Sequence, residues 1–221
     1  VADLRSPAMR DRHWEQLMTT TKVHFNVNDP AFKLDDLLKL ELHKFEEEVG
    51  EIVDRAQKEE KMEQALVKLK DTWTRVEFQF HQFKDTQVFT VKMAEEDFEA
   101  LEDNQVLVQG MMANRYMNTF RDEILGWNKK LMNVADVNQI MSEIQRTWAY
   151  LESLFIHSEE VKKELPEATV RFAGIDKEVK EVLKEFKDKK NCVECCNREG
   201  LMKHLEKQQH ELEICEKALA D

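Results

Sequence analysis

Residues that break or turn a chain are scarce here. The 221 residues include five glycines and three prolines, where average usage would supply about 26. A β-sandwich or barrel needs many tight turns, so both are excluded. No apolar run approaches the ~18 residues of a membrane span, and Val1 to Trp14 holds no apolar signal-peptide core. Positive charge is in deficit: 33 Lys and Arg stand against 45 Asp and Glu, a formal charge of −12. That balance argues against nucleic acid and anionic membranes as partners. The four cysteines, Cys192, Cys195, Cys196 and Cys215, all lie beyond residue 191. They make no disulfide framework, and a reducing compartment is the simpler reading.

What is abundant is charge, at 35%, beside 42% hydrophobic residues. Few chain-breakers with many Glu, Lys, Leu and Val spell helix, and the apolar share suffices for a core. The expected fold is mainly α, an elongated multi-helix bundle with one inserted β-hairpin. It divides into a first helical segment (1–75), a hairpin (76–92) and a helical bundle (93–221). The chain opens on Val1 and reaches Ala220-Asp221 with a helical pattern still running, so we expect a piece of a longer polypeptide.

Periodicity gives the elements. Ser6 as N-cap and Pro7 at the first position predict a helix over Ala8–Met18. Val23, Phe25 and Val27 alternate with polar residues and suit an extended segment. Leu38, Leu42, Phe45, Val49, Ile52 and Ala56 form one stripe of an amphipathic helix. Its phase is lost across Lys58-Glu59-Glu60-Lys61 and resumes at Met62, which predicts a turn or register skip near residue 59. Val76, Phe78 and Phe80 alternate with polar neighbours, Gln87 to Lys92 is β-branched and aromatic, and Lys84-Asp85-Thr86 lies between. That pattern is a hairpin. From about Ala94 helical spacing returns. One stripe ends at Val134 and the next begins at Val137; Asn133 with Asp136 resembles a helix start, so two helices are expected to meet there. Ser158 caps a further helix, Leu165-Pro166-Glu167 opens the next, and the last begins at Glu199.

Motifs for chemistry are missing. The glycines at 50, 110, 126, 174 and 200 are too far apart for a phosphate-cradling loop. No histidine has Glu three residues before it, as a di-iron bundle needs. Cys192-x2-Cys195 with His204 and His210 is a tempting zinc constellation, but its spacer is short, and incidental thiols are the plainer reading. Acidic runs such as Glu46-Glu47-Glu48 read as solvated helix face. No catalytic, cofactor-binding or metal residue is assigned, and no enzyme is visible in this stretch.

One ordered series of residues remains. Arg12-His13-Trp14-Glu15-Gln16-Leu17 is followed by Leu101-Glu102-Asp103-Asn104-Gln105-Val106 and Trp127-Asn128-Lys129-Lys130-Leu131. Then come Gln145-Arg146-Thr147-Trp148-Ala149-Tyr150-Leu151-Glu152, Leu154-Phe155-Ile156, Leu165-Pro166-Glu167 and Arg171-Phe172. Over essentially its whole length the sequence resembles the linker region of dynein heavy chains, N-terminal to the AAA+ motor ring. Leu-Glu-Asp-Asn-Gln and the Ile-His-Ser-Glu-Glu segment after Phe155 resemble axonemal chains, of the outer-arm type. The resemblance implies a rod of helical bundles lying across the ring. Such a linker bends when the ring's first nucleotide site is loaded and straightens in the force-producing step. Catalysis, ATP and Mg belong to the ring. The implied partners are the ring of the same heavy chain and axonemal dynein subunits, in the axoneme of a cilium or flagellum. Trp14, Trp127, Arg146, Trp148, Leu151, Glu152, Phe155, Pro166, Arg171 and Phe172 are the motif positions. The tryptophans read as packing residues, while Arg146 stays open between packing and interface. Joints between bundles are where a lever flexes, so Lys58, Lys61, Asn133 and Asp136 are hinge candidates. Two other readings stand beside this one: a helical scaffold or adaptor binding partner helices, and a metal- or redox-responsive domain built on the cysteines.

Overall fold

A computed structural model describes residues 6–21 and 46–221. The extended segment expected at Val23–Val27 and the stripe positions Leu38, Leu42 and Phe45 lie outside the described residues. The described elements are α1 (Asp11–Thr21), α2 (Glu46–Arg75), β1 (Gln79–Gln82), β2 (Phe89–Lys92), α3 (Glu95–Met112) and α4 (Arg121–Phe155), then α5 (Glu159–Glu164), α6 (Pro166–Lys189), α7 (Cys192–Cys196) and α8 (Leu201–Ala220). A 3₁₀ turn, Met117–Phe120, precedes α4. The fold is mainly α with one antiparallel hairpin, as the composition requires. Among the described residues no helix is long and apolar enough to cross a membrane.

The chain forms two compact units, Val1–Lys68 with Gly110–Ile124, and Leu69–Gln109 with Leu125–Asp221. In the first, Ala8, Met9, Trp14 and Leu17 pack on Ile52, Val53 and Ala56 of α2. The helix expected from Ala8 starts later, at Asp11. Ser6 caps only a turn, its Oγ accepting the Ala8 N–H at 3.2 Å. Arg10 becomes the N-cap because the ring of His13, three residues on, reaches back: His13 Nδ1 accepts the Arg10 N–H at 2.9 Å. This is the reciprocal half of a capping box, with imidazole in place of a carboxylate.

Two expected breaks are absent. α2 runs unbroken through Lys58–Lys61, because Glu59 occupies the stripe position between Ala56 and Met62 and is itself buried. Likewise α4 continues through Asn133–Asp136. Val134 and Val137 are both buried, so a step of three residues turns the stripe without ending the helix. Half-buried Asn133 donates through Nδ2 to Asn197 Oδ1 at 2.8 Å.

In the second unit the strands pair Gln79 with Lys92, Phe80 with Val91, His81 with Thr90 and Gln82 with Phe89. The alternating residues before them pair elsewhere. Phe78 N–H donates to Lys190 O at 2.9 Å, and Cys192 N–H donates to Val76 O at 3.0 Å. Lys190 has φ 65°, and Asn191 N–H closes on Lys189 O at 2.7 Å. That is a γ-turn in a strained conformation for a residue with a Cβ, held on both sides by the Val76–Phe78 strand. Asn191 caps α7 through its side chain, accepting from the Glu194 N–H. The cap expected at Ser158 and the helix start expected at Leu165-Pro166-Glu167 are present.

Candidate functional site

The motif series of the sequence converges on the C-terminal half of α4. Gln145, Trp148 and Glu152 are spaced three and four residues apart, so they share one helical face, and that face receives the hairpin. Gln145 brackets the backbone of Val91, its Oε1 accepting the N–H at 2.6 Å and its Nε2 donating to the carbonyl at 2.9 Å. Phe83, at the start of the hairpin loop, lies 4.6 Å from Trp148, centroid to centroid. Lys84, beside it, donates to Glu152 Oε2 at 2.9 Å.

The same residues bind α6. Trp148 is fully buried and its Nε1–H donates to Asp176 Oδ1 at 2.7 Å. Asp176 also pairs with Lys180 at 2.8 Å. Phe155 stacks on Phe172 at 5.3 Å, and Leu151 is fully buried. α6 in turn grips the hairpin: Phe186 stacks on Phe78 at 5.5 Å. The Lys187 ammonium sits 4.7 Å and 4.5 Å from the centroids of Phe80 and Phe89, a cation held by two ring faces. Glu152 is buried beneath Lys84 and His157, whose Nε2 lies 2.9 Å from Oε1. Burial alone would raise its carboxyl, but the hydrogen bonds from Lys84 and His157 outweigh this and hold its pKa below the ordinary value. The carboxylate therefore stays charged beneath Lys84 and His157.

A second buried polar centre lies in the first unit. His13 and Glu59 are both 1% exposed. Since Nδ1 of His13 accepts, Nε2 carries the proton and donates to Glu59 Oε2 at 2.6 Å. Arg12 Nε donates to the same oxygen at 2.9 Å, and Thr119 Oγ1 donates to Oε1 at 2.7 Å. Burial lowers the pKa of His13. For Glu59 burial opposes ionisation, and the bonds from Thr119, Arg12 and His13 overcome it, leaving the pKa lowered. Neutral imidazole beside ionised carboxylate is thus the arrangement that both geometry and electrostatics select.

The other motif residues are dispersed. Trp14 belongs to the core of the first unit. Trp127 is buried beneath the Lys130 ammonium, 4.8 Å from its ring centroid. Pro166 is exposed at the first position of α6. Arg171 donates to Glu211 at 2.7 Å and so ties α6 to α8. Arg146 is exposed and lines a groove between α3 and α4. Of the hinge candidates, Lys58 pairs with Asp54 at 3.2 Å, Lys61 and Asp136 are exposed, and Asn133 bonds Asn197. The sequence reading did not single out Glu59, Gln145, Lys84 or Asp176. The Ala56-x2-Glu59-x2-Met62 spacing was the available signal for Glu59.

The cysteines are core residues. Cys192, Cys195, Cys196 and Cys215 are buried and free. Burial pushes the Cys195 thiol up to about 12 and raises the other three. A redox-responsive domain would need a depressed thiol pKa, so the geometry does not favour that reading.

The arrangement fastens one long helix to a hairpin and a second helix. A family model described as dynein heavy chain, N-terminal region 2, matches residues 1–221. This chain belongs to the dynein heavy chain family. Over all 221 residues it is 81% identical to the alpha chain of the flagellar outer arm dynein of Chlamydomonas reinhardtii. It is 46% identical to a ciliary dynein beta chain of Tripneustes gratilla and 44% to human dynein axonemal heavy chain 9. The chain spans 5% of the length of each of these relatives. The expected resemblance to axonemal heavy chains therefore stands.

Proposed function

We propose that this dynein segment is a mechanical linker element of an axonemal motor heavy chain, moving with ATP-driven changes in a AAA+ ring elsewhere in that heavy chain. The observation supporting this is the clamping of α4. A 35-residue helix is about 50 Å long, and alone it would bend readily. In the second unit its C-terminal half is fixed by Gln145, Trp148, Glu152 and Phe155 to two other elements at once. Close-packed contacts of this kind resist deformation, as a force-transmitting part must. In this reading ATP and Mg belong to the ring. The partners are that ring and other axonemal dynein subunits, in a cilium or flagellum. The net charge of −12 opposes direct contact with an acidic microtubule wall.

Bending is proposed at Lys58–Lys61 and Asn133–Asp136. Both places carry polar side-chain contacts, those of Glu59 and of Asn133. The test is a distance measurement in the full heavy chain with spin labels at exposed Lys129 and Tyr150, about 32 Å apart on a straight helix. The distance should shorten by about 5 Å between nucleotide states, while a pair at Tyr150 and Lys177 stays constant. A Lys129–Tyr150 distance equal in every nucleotide state would reject α4 as a bending element.

A further inference from the structure

The second unit carries a groove of about 450 Å³ between α3 and α4, lined by Phe98, Leu101, Glu102 and Gln105 on one side and by residues from Ala135 to Arg146 on the other. Two features set it apart from the surface around it. On its lip α3 leaves the Phe98 ring 41% exposed. It also carries Glu95, Glu96, Asp97, Glu99, Glu102 and Asp103 with no Lys or Arg anywhere along its 18 residues.

None of these six carboxylates has an ion-pair partner among the described residues. Elsewhere in the unit Asp176, Glu185 and Glu211 are matched, by Lys180, Lys189 and Arg171. The helix dipole accounts for acids in the first turn, but Glu99, Glu102 and Asp103 lie beyond it. Uncompensated like charges on one helix cost stability. Asp97 reports the crowding, its pKa raised by burial and by Glu96. An exposed aromatic ring on an acidic lip is complementary to one kind of surface, an apolar stripe flanked by cations.

We propose that the α3–α4 groove docks a basic amphipathic helix of a separate polypeptide, its apolar stripe on Phe98 and its Lys or Arg side chains on Glu99, Glu102 and Asp103. The probe is an 18-residue helical peptide of leucine and lysine with leucines at i, i+3, i+4 and i+7, titrated onto the 221-residue chain. Its counterpart carries glutamate in place of lysine. The lysine peptide should bind with a Kd of about 10 μM and weaken with salt, and the glutamate peptide should not bind. Phe98→Ser should weaken binding about tenfold, and the pair Glu99→Lys with Glu102→Lys by more. A control pair on α5, Glu159→Lys with Glu160→Lys, changes the net charge equally and should leave the affinity within about twofold. Circular dichroism checks that each variant is folded. Equal weakening by the two pairs, or no effect of Phe98→Ser, would overturn the proposal, because net charge alone would then draw the peptide. So would a dimer of the chain that Phe98→Ser dissolves, since the groove would then hold a second copy.

Discussion

Trp148→Ala is expected to lower the stability of the second unit by about 4 kcal/mol, the cost of removing a buried indole from a close-packed core. The ring is fully buried, it lies against Phe83, and its N–H is the buried donor to Asp176. Trp148→Phe separates the two contributions. A phenyl ring keeps most of the packing but leaves Asp176 Oδ1 without that donor, for a cost of about 2 kcal/mol. Urea unfolding with hydrogen exchange read at amides of 125–155 measures both. Losses under about 1 kcal/mol for the alanine variant would mean that α4 is not held through this residue.

Glu59→Ala is expected to cost the first unit about 3 kcal/mol. It removes the acceptor for His13, Arg12 and Thr119 together, and His13 is left buried without its partner. The pH dependence has a definite sign. The unfolded chain takes up a proton on His13 at about the ordinary value of 6.5, whereas folded His13, with a lowered pKa, does so only in more acidic solution. The unfolded state therefore binds more protons in that window, and stability falls as pH drops below about 6.5. Below the ordinary value of 4.5 the unfolded Glu59 protonates before the folded one, and the loss deepens. Hydrogen exchange at amides of 46–68 between pH 4 and 8 should show both arms in the wild type. Glu59→Ala should lose the lower arm and keep the upper one. A stability that is flat from pH 8 to 5 would contradict the neutral-imidazole arrangement.

These two sites differ in how far the sequence disclosed them. Trp148 and Phe155 stand in a helical stripe and in a recognisable series, so both periodicity and resemblance pointed to them, while resemblance alone pointed to Glu152. The hairpin, the cap at Ser158 and the helix start at Pro166 were legible because turn chemistry is local. Glu59 was hidden by its neighbours: in Lys58-Glu59-Glu60-Lys61 a buried carboxylate looks like solvated charge, and only the positions of Arg12, His13 and Thr119 reveal its role. The same local reading placed a helix start at Asn133, where a three-residue step in the stripe merely redirects an unbroken helix. It also could not see that Val76 and Phe78 pair with the turn at Lys190–Cys192, since partners that distant in sequence leave no periodic trace. His13 shows the converse error: Ser6-Pro7 is a good local start signal, yet the imidazole bound to Arg10 N–H moved the helix start to Asp11.

The claim that this segment transmits force through the clamped α4 is tested most directly in the whole heavy chain. Microtubule gliding velocity and ATPase rate would be measured side by side for wild type and for Trp148→Phe. A loosened clamp should slow gliding by at least about twofold while the ATPase rate is unchanged, because the chemistry lies elsewhere. Gliding at wild-type velocity despite a measurably softened second unit would contradict the account.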